Sequence, residues 1–137
     1  MCVFDCADNE LISLKGAPDK VYDFLCFDNY LTNLEGLQII INDLDCSDNN
    51  LESLKGIPKK INSLNASSNL IQKLDYFPEI VTGEINLSRN KIESLKGIPS
   101  IIHDNLDITY NCIKSWEHVP IISNGNIYIL HNPIMNS

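Results

Sequence analysis

Residues 44–58 read LDCSDNNLESLKGIP, and residues 85–99 read INLSRNKIESLKGIP. The second phrase begins 41 positions after the first, which is close to two periods of 20 to 21 residues. One asparagine marks each period along the chain, and these residues are Asn9, Asn29, Asn49, Asn69, Asn90, Asn111 and Asn132. A sequence that restates one phrase at a fixed period predicts stacked copies of one structural unit.

Apolar residues stand at fixed distances from each asparagine. They come five and three residues before it, as in Leu44 and Cys46, and two and five residues after it, as in Leu51 and Leu54. The alternation before the asparagine is typical of a short strand with two inward side chains. We expect the asparagine to bind backbone groups of its own turn and of the neighbouring coil, because buried amides need partners. Since one coil cannot bury its apolar side alone, the pattern predicts a solenoid with a continuous core.

The consensus, L-x-(C/L)-x-x-N-x-L-x-x-L-x-G-I-P, resembles the leucine-rich repeat. The resemblance covers essentially all of residues 1–137 as one domain of about seven coils, without evident capping domains. It is strongest to the short class of 20–21 residues, which occurs in repeat proteins of large DNA viruses and in bacterial effectors. It implies a leucine-rich-repeat solenoid with a curved parallel β-sheet on the concave face and little or no α-helix.

The return segment of each coil carries the G-I-P of the quoted phrases. Glycines such as Gly56 and Gly97 free the backbone for a bend. Prolines such as Pro58 and Pro99 exclude a long helix. We therefore expect the convex face to consist of extended segments with at most single 3₁₀ turns. Trp116 stands where five other periods have leucine, and we expect it in the core.

Negative charge is concentrated in the first third of the chain. Residues 1–50 hold ten acidic residues against Lys15 and Lys20, which accounts for the whole net charge of −8. Such a surface is poorly suited to a nucleic-acid backbone, which is bound through Lys and Arg. It favours a basic protein partner instead.

Other features indicate an intracellular, cytoplasmic chain. The sequence has no apolar run long enough to span a membrane, and the N-terminus does not look like a secretory signal. Five cysteines without a C-x-x-C motif fit a reduced protein better than a disulfide framework.

Outward strand positions would line the concave face, where solenoids of this kind commonly bind. We predict a protein-binding surface formed by Asp5, Asp23, Leu25, Phe27, Asp43, Asp45, Ser47, Asn65, Ser67, Asn86, Ser88, Asp107, Thr109, Tyr128 and Leu130. Leu25 and Phe27 would form an apolar anchor within a ring of aspartates. The alternative is that these two side chains pack on each other or against a loop.

Two further columns have both a chemical and a structural interpretation. The aspartates before the first three repeat asparagines would suit a cation or a basic peptide, but aspartate is equally suited to a turn, and no calcium-loop pattern accompanies them. The three cysteines inside the first three strands would lie side by side, which is poor geometry for a disulfide, and no histidine joins them as a zinc ligand. We expect no metal or cofactor and interpret these thiols as small core residues. Cys2 and Cys112 lie outside this column and are better candidates for reactive thiols.

The sequence contains no catalytic constellation. Its three histidines fall at unrelated points of the repeat, and there is no phosphate-binding loop. We therefore expect a non-enzymatic module that binds a protein partner on the concave face. The alternative is a self-assembling structural or virion component, including a homodimer, that uses uncapped solenoid ends, because an open strand edge is a template for another chain. The viral resemblance would imply the host cytoplasm or the virion.

Overall fold

The structure, a computed structural model, describes residues 2–40 and 42–136. Seven parallel strands stack in chain order into one sheet, so that each coil contributes one strand and pairs with the coils before and after it. The strands are β1 (Val3–Asp5), β3 (Asp23–Leu25), β5 (Asp43–Asp45), β7 (Ser63–Asn65), β9 (Ile85–Asn86), β11 (Leu106–Asp107) and β13 (Ile127–Tyr128). Equivalent repeat positions pair in register, as Phe24 does with Leu44. The predicted leucine-rich-repeat-like solenoid of stacked parallel strands is confirmed.

Six two-residue strands lie in the return segments and form three separate pairs, β2–β4, β6–β8 and β10–β12. Their bounds are β2 (Lys20–Val21), β4 (Ile39–Ile40), β6 (Lys60–Ile61), β8 (Ile80–Val81), β10 (Ile101–Ile102) and β12 (Ile121–Ile122). Among the described residues the only helix is a 3₁₀ turn at Pro133–Asn136. The expected extended return path, almost without helix, is therefore confirmed.

The core runs through the middle of the stack. The four apolar columns of the sequence pattern are buried in the interior coils, where Leu44, Cys46, Leu51 and Leu54 are 1% exposed or less. A fifth buried column, which the four-column pattern does not predict, comes from the second residue of the short strands. Its members are Val21, Ile40, Ile61, Val81 and Ile102. They precede their asparagine by eight or nine residues, and this irregular spacing hides the column from a strict periodic pattern.

The repeat asparagines form a ladder between coils. The Nδ2 of Asn69 donates to the carbonyl of Cys46 in the preceding coil at 3.1 Å and to those of Ala66 and Ser67 in its own turn. Its Oδ1 accepts from the backbone N–H of Leu51 at 2.9 Å. All the repeat asparagines except Asn9 are buried. Within the described residues, no buried side-chain nitrogen or oxygen lacks a hydrogen-bond partner.

Glycine is needed where one coil turns directly against the preceding one. Gly36 and Gly56 have φ of +111° and +96°, and a Cβ on either would collide with the backbone of Leu14 or Leu34. The glycines of the repeated phrase therefore serve both the bend and the close approach of neighbouring coils.

The prediction that Trp116 lies in the core is wrong. Its side chain is 57% exposed, whereas Leu95 at the same repeat position of the preceding coil is completely buried. The leucine position is closely packed, and an indole is too large to enter it without strain. The same position in the next coil is residue 137, which lies outside the described residues.

Candidate interaction surfaces

The outward side of the seven-stranded sheet, which we call the sheet face, carries the residues predicted to bind a partner. In its middle, polar side chains are tied together within each strand. The Oδ1 of Asp45 accepts hydrogen bonds from the N–H of Ser47 at 3.0 Å and from its hydroxyl at 2.6 Å. The same arrangement recurs in the next three coils, in the pairs Asn65–Ser67, Asn86–Ser88 and Asp107–Thr109. These bonds use the Oδ1 atom of each aspartate or asparagine, and they fix the orientation of the remaining Oδ2 or Nδ2 atom.

Asp23 and Asp43 have a structural role at the start of their strands. The Oδ1 of Asp23 accepts from the N–H of Asp43 at 3.1 Å and from Asn42 Nδ2 at 2.9 Å. The Oδ1 of Asp43 binds the N–H of Ser63 and Asn62 Nδ2 in the same way. Asn62 Nδ2 also donates to Asn42 Oδ1 at 2.9 Å. This second ladder between coils was not predicted, because asparagine stands seven residues before the repeat asparagine in only two coils, at Asn42 and Asn62.

The two ends of the sheet face differ in exposure. Leu25 and Phe27, the predicted anchor, are both half-buried. Tyr128 and Leu130, at the other end, are 45% and 59% exposed. The more accessible apolar pair of the sheet face therefore lies in the last coil.

A row of residues at the ends of the strands adopts left-handed backbone. We call this the exit row, and its members are Asp8, Asp28, Asp48, Ser68, Arg89, Tyr110 and His131. Their φ values lie between +53° and +62°, a region that aspartate tolerates better than arginine or tyrosine. Because every turn has the same conformation, side chains of successive coils lie directly above one another.

The exit row is chemically polarised along the stack. At its first end the pKa of Asp8 is raised, mainly by a side-chain hydrogen bond with Asp28. Desolvation and repulsion from the Asp28 charge raise it further. At its other end the Arg89 guanidinium lies 4.3 Å from the centre of the Tyr110 ring. The Tyr110 and His131 rings stack at 4.2 Å with an interplanar angle of 13°. The row thus runs from carboxylates to a cation and two aromatic rings.

The column of cysteines is part of the core. Cys26 and Cys46 are completely buried, and burial raises the pKa of each thiol. Cys6 is half-buried, and its thiol pKa is also raised, mainly by burial and then by the nearby Asp5 charge. Cys2 is exposed and Cys112 half-buried, and all five thiols are free. In the described part of the chain, no three His, Cys, Asp or Glu side chains come together as a metal site.

Comparison with known proteins finds no family model that matches the chain and no curated protein that matches it. Nor do residues 2–40 and 42–136 contain a helix of sufficient length and apolar character to cross a bilayer.

Proposed function

We propose that the protein is a non-enzymatic leucine-rich-repeat module that binds a protein partner on the sheet face. The observation that supports this best is the repeated pairing within strands, exemplified by the Ser47 hydroxyl held 2.6 Å from Asp45 Oδ1. Polar groups fixed in this way in successive strands lose little conformational freedom on binding, which lowers the cost of forming a complex. The surface is therefore suited to recognising an extended or flat partner rather than to chemistry.

The proposed partner is basic over the first coils and apolar over the last. Asp5 and Asp45 have carboxylates on the sheet face, and Asp28 and Asp48 lie beside them in the exit row. These charges would attract and orient a segment rich in Lys and Arg. Tyr128 and Leu130 offer exposed apolar surface for an anchor at the opposite end. Leu25 and Phe27 would add a half-buried contact between the aspartates.

We also propose a cellular location and an origin for the protein. Free thiols suit a reducing compartment, so we propose an intracellular, cytoplasmic protein. The short repeat class further suggests a repeat protein of a large DNA virus, acting in the infected host cell. We propose no nucleic-acid or membrane partner, because the first third of the chain is strongly acidic.

A pull-down from cell lysate at low and high salt tests the sheet face. Tyr128→Ser/Leu130→Ser should reduce capture about tenfold or more, as expected for loss of an anchor. Leu25→Ser/Phe27→Ser tests the other end in the same way. The matched control is Ile80→Ser/Ile101→Ser, which removes apolar residues of similar exposure (48% and 50%) from the return side.

The result expected is a salt-sensitive partner that the control captures as well as the wild type does, and that a sheet-face variant loses. Equal capture by the wild type and both sheet-face variants would refute binding at these residues. Loss of capture by the control alone would place binding on the return side.

A further inference from the structure

The two end coils partly expose several of the apolar columns that the interior coils bury, although Leu14 and Ile134 are themselves buried. The half-buried apolar residues packed against the core come almost entirely from these two coils, with Ile57 as the exception. They are Phe4, Cys6, Leu11 and Ala17 at one end and Val119, Ile122, Ile127 and Ile129 at the other. In interior coils the same repeat positions are fully covered, as at Phe24 and Leu44 with 1% exposure each. Each end therefore presents the surface that a neighbouring coil covers elsewhere in the stack.

The backbone groups that lack a partner in a neighbouring coil are complementary between the two ends. Each coil donates N–H groups to the carbonyls of the following coil, as Cys6 does to Leu25 at 2.9 Å and Asp8 to Phe27 at 3.0 Å. In the last coil the equivalent donors are the N–H groups of Ile129 and His131, which find no acceptor among the described residues. The first coil has the corresponding acceptors, the carbonyls of Asp5 and Ala7. No preceding coil donates to them, and Ala7 accepts only from Asn9 of its own turn.

The asparagine ladder is incomplete at the first coil. Asn29 Nδ2 reaches back to the Cys6 carbonyl at 3.0 Å, and its Oδ1 accepts from the Leu11 N–H at 2.9 Å. Asn9 binds only the carbonyls of its own turn, Cys6 and Ala7, both at 3.0 Å. Among the described residues, the Asn9 Oδ1 has no donor.

The last coil offers the Asn9 Nδ2 a further acceptor, while the Ile134 N–H, which stands where the Leu11 N–H does, already donates to the Ile113 carbonyl at 3.0 Å. The carbonyl of Ile108 accepts from both Asn111 and Asn132, whereas the equivalent carbonyl of Ile129 accepts from Asn132 alone. A further asparagine above Ile129 would complete the same pattern.

The charges at the two ends, and the open space beside the first coil, are also complementary. The exit row begins with the carboxyl of Asp8 and ends with the ring of His131, so continuing the row would bring a carboxylate beside an imidazole. A Cβ on Gly36 would collide with the preceding coil, whereas one on Gly16, at the same repeat position, would meet nothing within 4 Å. The first coil thus leaves open the place that a preceding coil occupies elsewhere.

We propose that copies of this chain associate head to tail, with the last coil of one seated on the first coil of the next. The contact would repeat the sheet ladder within the chain and the bond from an asparagine Nδ2 to the carbonyl of the preceding coil. Because the two surfaces are different, the contact is heterologous, and it builds open filaments unless curvature closes a ring. This assembly does not depend on the partner proposed for the sheet face. It would bring Tyr128 of one copy beside Asp5 of the next and would partly cover both.

Two one-sided variants test the polarity of the contact. Cys6→Glu places a carboxylate on the first coil, and Ile129→Glu places one on the last. Sedimentation equilibrium up to about 1 mM protein would measure the mass of each variant, of the wild type and of a mixture of the two variants. Ile80→Glu, a charge on the exposed return side, is the matched control.

We expect the wild type and the control to exceed the monomer mass of 15.4 kDa increasingly with concentration. Each blocked variant alone should remain monomeric, and their mixture should reach twice the monomer mass and stop there. A monomeric wild type would overturn the proposal. So would a blocked variant that dimerises by itself, since that outcome requires a symmetric contact.

Amide hydrogen exchange on the wild type provides a measurement that does not depend on the folding of variants. The N–H groups of Ile129 and His131 should exchange more slowly as protein concentration rises, while the exchange of exposed amides on the return side should not change. Exchange rates at both residues that are independent of concentration would contradict the head-to-tail contact.

Discussion

The side-chain oxygen of Asn49 accepts a hydrogen bond from the backbone N–H of Leu31, 3.0 Å away in the preceding coil. The Nδ2 of the same residue donates to the carbonyl of Cys26 in that coil and to the carbonyls of Cys46 and Ser47 in its own turn. One amide therefore supplies partners to four backbone groups in a region from which water is excluded. The repeat asparagine is thus a structural residue that joins neighbouring coils.

Asn49→Ala should destabilise the fold strongly. It leaves the Leu31 N–H without a partner, which costs about 1–3 kcal/mol. It also removes one donor from each of three carbonyls that keep a second one, at about 0.5–1.5 kcal/mol for each lost bond. We expect the free energy of unfolding to fall by about 3 kcal/mol or more, measured by urea denaturation.

The matched control for this prediction is Asn9→Ala at the exposed end of the ladder. Asn9 makes two hydrogen bonds within its own turn, and the carbonyls that it would leave are open to water. Its loss should cost about 1 kcal/mol or less. Equal costs at the two positions would contradict the role assigned to the ladder between coils.

The fold could be predicted because one repeated phrase fixes it. The spacing of Asn29 and Asn49, with apolar residues at set distances, requires stacked coils and parallel strands. The column of Val21 and Ile40 was missed because the return segments differ in length by a residue. That drift leaves the side chains aligned in space while it breaks their alignment in sequence.

The candidate surfaces were predicted less completely, since exposure and stacking depend on the backbone. Nothing in the sequence distinguishes half-buried Phe27 from exposed Leu130, which occupy the same repeat position. The stack of Arg89, Tyr110 and His131 depends on left-handed backbone at the same position of three successive coils. These residue types do not favour that conformation. The position of Trp116 depends on whether the packed core has room for an indole, which a periodic pattern does not record.

Trp116→Ala should have little effect on stability. The side chain is 57% exposed, so we expect the free energy of unfolding to change by about 0.5 kcal/mol, as for most surface substitutions. Leu95→Ala, at the same repeat position one coil earlier, should cost about 2–5 kcal/mol because it opens a cavity in a completely buried site. Thermal and urea denaturation of both variants checks the contrast. A large loss for Trp116→Ala would mean that the indole is packed in solution.

The five thiols should react in an order set by burial. Exposed Cys2 should be alkylated first, and half-buried Cys112 more slowly. Cys6 should also react slowly, because burial raises its thiol pKa and reduces its thiolate fraction. Cys26 and Cys46 should react only when the coils separate. Mass spectrometry of peptides after timed alkylation measures the order.

The corresponding control is alkylation in denaturant, where all five thiols should react at similar rates. Early labelling of Cys46 in the native protein would show that the first coils open without global unfolding.

Asp8→Asn should stabilise the protein at neutral pH. The neighbouring Asp28 raises the pKa of Asp8 above its ordinary value of 3.8, so the folded chain holds the Asp8 proton more tightly than the unfolded chain does. A raised carboxyl pKa lowers stability as pH rises through the interval between the ordinary and the raised value, and the loss is complete above it. Asparagine removes the ionisation and tolerates the left-handed backbone of this position, where φ is +56°. The variant should therefore have the higher melting temperature at pH 7.

The dependence on pH separates this charge effect from a backbone effect. The difference in melting temperature between Asp8→Asn and the wild type should shrink as pH falls through the raised pKa of Asp8, and should vanish well below 3.8, where Asp8 is protonated in both states. Ser68→Asn is the control, since residue 68 has nearly the same backbone, with φ of +55°, and this substitution changes no charge. Its effect on the melting temperature should be the same at every pH. If the difference for Asp8→Asn is equally independent of pH, backbone preference explains it, and the carboxyl pair at the start of the exit row contributes nothing to stability.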